Sequence, residues 1–475
     1  MPALLGLQLF IGKFVLTRFL PYLYSKTNKM NRYWVLLFLF FFSEIILSQD
    51  RFVLPEQKNE VTVPFEFVNN LIILKVAVNK VPLNLLFDTG IQQTILINVK
   101  TPDSLNLKFL QKRNFTGVGK DKKIIKGLLS TNNRIDIGGK IFNKQAAIYI
   151  ITGTEFHFSE SIGVNINGFI GGELIKDYIV KIDYKRKQIH FYKHRNFNYK
   201  KLKRYHYFPL EIYHDKPYIK ALVQIHKKAP PVDLKFLIDT GNSDAVWLFT
   251  SKKLKMPSYQ KTVKDYFGLG FSGEIQGEKA KAHMFQLDKK YRFKKVYVSI
   301  PDSIYFAHII QAHPFDGLIG NEVMRRFYVV FDYQNKALYL KRYRHNYHEP
   351  FSFNDTGIYL SYDGKIPVKV KFLETQFETN TKDNSYSIVT QSAYTYKYEM
   401  RDRIIIQYIR KNSPADRAGL AKGDILLEIN GISVYQYRLD ELEKRFFYHN
   451  QKKLDFLIKR KGLILHFKVD NTNQL

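Results

Sequence analysis

The tripeptide Asp-Thr-Gly ends an apolar run twice in this chain, at Leu85-Leu86-Phe87-Asp88-Thr89-Gly90 and at Phe236-Leu237-Ile238-Asp239-Thr240-Gly241. Each copy carries the same landmarks downstream. Glycines follow the aspartate at offsets 29 and 31, as Gly117 and Gly119 in the first copy and Gly268 and Gly270 in the second. A Gly-x-Ile-Gly then begins at Gly168, offset 80, and at Gly317, offset 78. An Asp-Tyr pair closes each series, Asp183-Tyr184 and Asp332-Tyr333. Order is kept and spacing drifts by one short loop change, so the pattern predicts an internal duplication of one structural unit.

Each unit reads as β structure. Val61 to Val78 and Phe208 to Ile225 hold short runs of Val, Ile, Leu and Phe, the second around the turn-like His214-Asp215-Lys216-Pro217. Ile179 to Tyr192 and Tyr328 to Leu340 are β-rich runs broken once by a charged turn. One short helix is expected after each Gly-x-Ile-Gly, near Glu173 and Glu322.

Two matching aspartates on two matching units can meet at a shared axis. Carboxyls about 3 Å apart do not both ionise easily and so share one proton. The ionised member can take a proton from water while the protonated one polarises a carbonyl. The apolar run before each aspartate lowers the local dielectric, and the glycine after threonine permits close backbone approach. Each threonine hydroxyl can bond backbone across the axis.

With these residues in view, the chain resembles the aspartic proteases of the pepsin and retropepsin clan over roughly residues 60 to 343. The resemblance implies a mainly β fold with two pepsin-like (retropepsin-like) β-barrel lobes, at 55–200 and 201–345. It implies a catalytic dyad of Asp88 and Asp239, supported by Thr89, Gly90, Thr240 and Gly241. Gly117, Gly119, Gly268 and Gly270 match the flap hairpins that cover substrate. No cofactor or metal is implied, and a monomer acting on peptide or protein is expected. Ile91 and Asn242 stand where the clan usually has Ala or Ser, which leaves open a catalytically inactive peptide-binding protein on the same fold. A third copy, Asp355-Thr356-Gly357, lacks the apolar lead and the downstream glycines and reads as a turn.

Residues 383–471 carry a different pattern. Ser413 suits a helix N-cap and Pro414 the first helical position, with Gly419 past the helix end. Asn430-Gly431 is a tight-turn pair. This string resembles a bacterial PDZ domain, a small α+β fold. Its expected helix is Tyr437 to Tyr448, with closing strands at Leu454 to Lys459 and Leu463 to Val469. Such domains bind extended peptides by strand addition, and Ile404, Ile405 and Ile406 are the expected groove strand. No Gly-Leu-Gly-Phe loop precedes them; Gly268 to Phe271 spells that motif but reads as flap. Residues 346–382 are expected to be a linker with a β-hairpin.

At the N-terminus, Met30-Asn31-Arg32 precedes a short apolar core from Trp34 to Phe42 and a small residue at Ser48. That order reads as a signal peptide with translation starting at Met30, so 1–48 is set aside as targeting sequence or extension. Export to the periplasm, cell envelope or medium is expected, with membrane anchoring if Met1 is the true start. A net charge of +31 favours an anionic surface such as membrane or glycan, and no nucleic-acid motif accompanies it. There are no cysteines, hence no disulfides. Histidine spacing gives no metal motif, and no Gly-x-Ser-x-Gly or phosphate loop is present.

Overall fold

A computed structural model of the chain describes residues 50–115, 125–152, 156–250, 253–254, 256–258, 260–271, 273–307, 310, 315–382, 385–447, 452–472 and 475. The expected targeting segment at 1–48 and the glycines Gly117 and Gly119 lie outside the described residues. The fold is mainly β. Among the described residues no helix is long and apolar enough to cross a membrane.

The two halves build the same sheet. In the first, the spatial order is Glu66–Val68, Leu71–Val78, Val81–Phe87, Gly168–Ile170, Ile95–Leu96, Ile141–Ile151, Ile125–Ile137 and Gln111–Phe115. In the second it is Glu211–Tyr213, Lys216–Gln224, Val232–Ile238, Gly317–Ile319, Val246–Leu248, Arg292–Pro301, Gly273–Gln286 and Thr262–Gly270. In both, the second strand also pairs with the seventh, so the sheet curls back on itself. The first hairpin turns are alike too: Asn69 and Asn70 in one half, His214 and Asp215 in the other, all at positive φ. That is the geometry of a two-residue hairpin loop.

A six-stranded sheet joins the halves in the order Glu60–Pro64, Gln188–Tyr192, Ile179–Asp183, Phe327–Asp332, Ala337–Arg342, His206–Pro209. At its centre Lys181 faces Val330. These two residues stand the same distance apart in sequence as the landmarks Asp183 and Asp332. Equivalent positions therefore meet, and the sheet is symmetric about that point. The Asp-Tyr landmarks are structural. Asp183 accepts the Arg186 N–H at 3.1 Å and Asp332 the Asn335 N–H at 3.2 Å, which sets each charged turn.

The motif strands bury Phe87, Phe236, Ile170 and Ile319 in one core that also takes Val180 and Phe331 from the joining sheet. Each such side chain contributes about 1.5–3 kcal/mol of burial. The Gly-x-Ile-Gly segments run between two neighbours: Gly168–Ile170 pairs with Val81–Phe87 on one side and Ile95–Leu96 on the other. A Cβ on Gly168 would sit 2.2 Å from the Ile95 carbonyl oxygen, and one on Gly317 2.1 Å from that of Trp247. Only glycine fits that packing. The expected helices after these segments are single turns, Gly172–Leu174 and Asn321–Met324.

The C-terminal sheet runs Ile358–Lys382, Ser385–Ile409, Ile425–Ile429, Lys453–Arg460, Leu463–Asp470, with Ile432–Ser433 beside the third strand. Ser413 caps the helix Pro414–Arg417 by accepting the Asp416 N–H at 3.2 Å. Asn430 and Gly431 turn at positive φ. The groove-side helix spans Leu439–Phe447. Residues 358–382 do not form a linker. They are one arm of a long hairpin whose base packs Ile358 and Leu360 into the same core as Ile404, Ile406 and Leu442. The boundary read at 383 falls between that arm and its partner strand Ser385–Ile409. Beyond the core the ribbon exposes Tyr394, Tyr396 and Tyr398, with Lys371 and Lys369 over the first two rings at 4.0 and 4.2 Å.

Candidate active site

Asp88 and Asp239 each follow a buried strand whose next neighbour is a Gly-x-Ile-Gly segment. The Asp88 N–H donates to the Ile170 carbonyl and the Asp239 N–H to that of Ile319, both at 2.9 Å. The Gly90 N–H donates to Asp88 Oδ1 at 2.7 Å, and the Gly241 N–H to Asp239 Oδ1 at 2.9 Å. The two loops are thus held alike, and their carboxyls hydrogen-bond each other across the axis.

The threonines lock that approach. Thr89 Oγ1 donates to the Ile238 carbonyl at 2.7 Å and accepts the Thr240 N–H at 3.1 Å. Thr240 Oγ1 donates to the Phe87 carbonyl at 2.8 Å and accepts the Thr89 N–H at 3.0 Å. Both side chains are fully buried. The glycines face the opposite half: a Cβ on Gly241 would lie 2.5 Å from Asp88 Oδ2, and one on Gly90 3.0 Å from Asp239 Cγ. Asn321 adds a brace by donating to the Thr240 carbonyl at 2.6 Å.

Burial raises both carboxyls above the usual range. For Asp239 the burial is joined by the negative charge of Asp88, so the pair retains one proton well above the pH at which a free carboxyl ionises. Lys216 opposes the shift on both. It opens the strand Lys216–Gln224, at the hairpin position held by Leu71 in the first half. Sequence reading took His214 to Pro217 only as a turn. The one available signal was a lysine where its duplicate is apolar.

The dyad opens into a cavity of about 840 Å³. Ile91, Phe169, Trp247, Phe306 and Leu318 give it apolar walls. Gly268 and Gly270 lie on the hairpin Thr262–Gly270/Gly273–Gln286, whose ladder shifts register between Tyr266 and Gly268. Its tip crosses to the first half. The Phe271 ring meets Phe169, Phe156 and Phe158 with centroids at 5.2, 5.8 and 6.2 Å. The first half carries the matching hairpin, Gln111–Phe115 with Ile125–Ile137.

The third Asp-Thr-Gly is a buried turn, with Gly357 at positive φ and its N–H donating to Asn354 Oδ1 at 2.9 Å. Arg410 reaches it, donating to the Asn354 carbonyl at 2.6 Å. The expected groove strand is not at Ile404, Ile405 and Ile406. That segment pairs with Leu360, Ser361 and Tyr362 on one side, and its other side bonds Gly423, Asp424 and Ile425. With both edges used it offers no ladder to a guest. One edge strand of this sheet is the Ile358–Lys382 arm, whose base lies beside the Leu439–Phe447 helix.

Among the described residues no group of three or more His, Cys, Asp or Glu is placed to share a metal ion. A family model described as a PDZ domain matches residues 405–459, and the C-terminal module is a PDZ domain. No curated protein matches the chain.

Proposed function

We propose that this chain is an exported aspartic endopeptidase with two pepsin-like halves, in which the PDZ domain, a peptide-binding module, engages substrate or partner. The observation that carries the reading is the mutual hydrogen bond of Asp88 and Asp239, held by reciprocal Thr89 and Thr240 bonds. A buried pair sharing one proton has both halves of the chemistry that amide hydrolysis needs. An extended peptide in the cavity would place its carbonyl over the dyad. The ionised carboxylate takes a proton from water as the water oxygen bonds the carbonyl carbon. The protonated carboxyl gives its proton to the carbonyl oxygen, leaving a neutral gem-diol. Collapse breaks the C–N bond: the leaving nitrogen takes a proton from the protonated aspartate while a diol hydroxyl gives its proton to the other, which leaves a carboxylic acid, an amine and a dyad that again holds one proton. Each proton transfer is worth about 10²–10⁴ in rate. The Phe271-tipped hairpin would exclude solvent during these steps. The net charge and the tyrosine- and lysine-lined ribbon support contact with an anionic envelope surface.

The test is to incubate the full chain with a degenerate peptide library and sequence the new termini. Wild type is expected to generate them and Asp88→Asn is not. A library that wild type binds but leaves intact would turn the reading to a peptide-binding protein.

A further inference from the structure

The walls of the dyad cavity come from three parts of the chain. Besides the two halves, Tyr359, Leu360, Gln407, Glu443 and Lys444 of the C-terminal module line it. The module is therefore placed as a wall of the cleft. Its contacts with the first half fix that placement: Asn69 Nδ2 donates to Glu443 Oε2 at 3.0 Å, and Ser161 donates to Gln407 Oε1 at 3.2 Å.

Among the described residues, charges around the cavity pair off, with one exception. Asp244 has Lys279 at 3.4 Å, and Glu322 and Glu349 share Arg325 at 2.8 Å each. Lys444 is held by Asp440 at 3.0 Å. Asp88 and Asp239 have each other and the charge of Lys216. Glu443 has no cation among the described residues. Its partners are neutral donors, the Asn69 amide and the Leu360 backbone N–H, and the negative charge of Asp440 acts against its ionised form. A carboxylate has about four acceptor sites, so two donors leave room for more.

We propose that Glu443 forms a specificity subsite for a lysine or arginine side chain of an extended peptide lying along the cleft, a reading that rests on the peptidase assignment. The side chain is half-buried and open toward the cavity. Lost hydration pushes its carboxyl up to about 8, so it stays protonated at neutral pH. An incoming ammonium or guanidinium supplies the missing countercharge, and a pair formed in such a place discriminates more than one in open water.

The test uses the full chain carrying Asp88→Asn, so that binding is read without turnover. A library of short peptides is prepared with each position fixed in turn as Lys, Arg, Gln or Glu, and affinities are measured by fluorescence anisotropy. One position is expected to favour Lys or Arg over Gln by about 10- to 100-fold, the scale of a charge-assisted hydrogen bond. Adding Glu443→Gln is expected to remove that preference. A preference that survives Glu443→Gln, or none at any position, overturns the proposal. So does an equal gain for all peptides in Glu443→Gln, which would make Glu443 a latch. If wild type cleaves nothing yet the Glu443-dependent preference is present, the subsite stands and the hydrolytic reading falls.

Discussion

Asp265, on the hairpin strand Thr262–Gly270, is fully buried against Arg410 of the PDZ domain, with Arg410 Nη1 donating to its Oδ2 at 2.9 Å. Arg410 also stacks over the Phe353 ring at 4.6 Å, and the Tyr359 hydroxyl bonds the same aspartate. Tyr266, next in the hairpin, stacks on Tyr408 with centroids at 5.3 Å. The PDZ domain thus grips the hairpin that lines the dyad cavity. Removing one partner strands a buried charge, so Arg410→Ala is expected to cost about 3–5 kcal/mol. Urea unfolding of the full chain checks this. The paired change Asp265→Leu with Arg410→Met should recover much of the loss.

The threonine lattice should be separable from the chemistry it supports. Thr240→Ala removes the acceptor for the Thr89 N–H and the donor to the Phe87 carbonyl. A loss of about 2 kcal/mol is expected from leaving those buried groups unmet. Thr240→Ser keeps the hydroxyl and should keep most of the stability. Denaturant midpoints of the two variants read the difference directly.

Lys216 should set where on the pH axis the dyad works. Its charge lowers both Asp88 and Asp239, so it favours their ionised forms. Lys216→Met is expected to move both limbs of the kcat/KM profile to higher pH, because each proton is then held more tightly. A profile that stays in place would remove Lys216 from the electrostatics of the site.

Glu443 makes a prediction about stability that is independent of turnover. Its carboxyl titrates at about 8 in the folded chain against 4.5 when free. Between these values the folded state holds the proton more tightly than the unfolded state does. The stabilisation is complete below pH 4.5 and is lost as pH rises through 8. Glu443→Gln should lack this slope, as read from unfolding midpoints across that window. Glu173, pushed up to about 7 by burial behind the first aspartate loop, contributes a slope of the same sign in both proteins.

The duplication was legible because its constraints are local. A glycine whose Cβ would lie 2.1 Å from a carbonyl oxygen, or an aspartate that must cap a hairpin, leaves a fixed residue at a fixed spacing. The docking of the PDZ domain was not legible. Arg410 and Asp265 are 145 residues apart, and a single long-range ion pair has no pattern of its own. Glu443 likewise reads as an ordinary charged residue on a helix until the first half is packed beside it. The groove strand was misplaced for a readable reason. Three consecutive isoleucines belong to a strand that buries Ile404 and Ile406 and is paired on both edges, whereas the arm at Ile358 mixes apolar with polar residues, as an edge strand does.

The most direct test of the account is the pH dependence of kcat/KM on a peptide selected from the library, measured for wild type, Asp88→Asn and Asp239→Asn, with unfolding midpoints taken in parallel. The dyad predicts a bell-shaped profile for wild type and no measurable cleavage by either variant, both of which remain folded. Turnover near the wild-type rate by either folded variant would contradict the shared-proton mechanism.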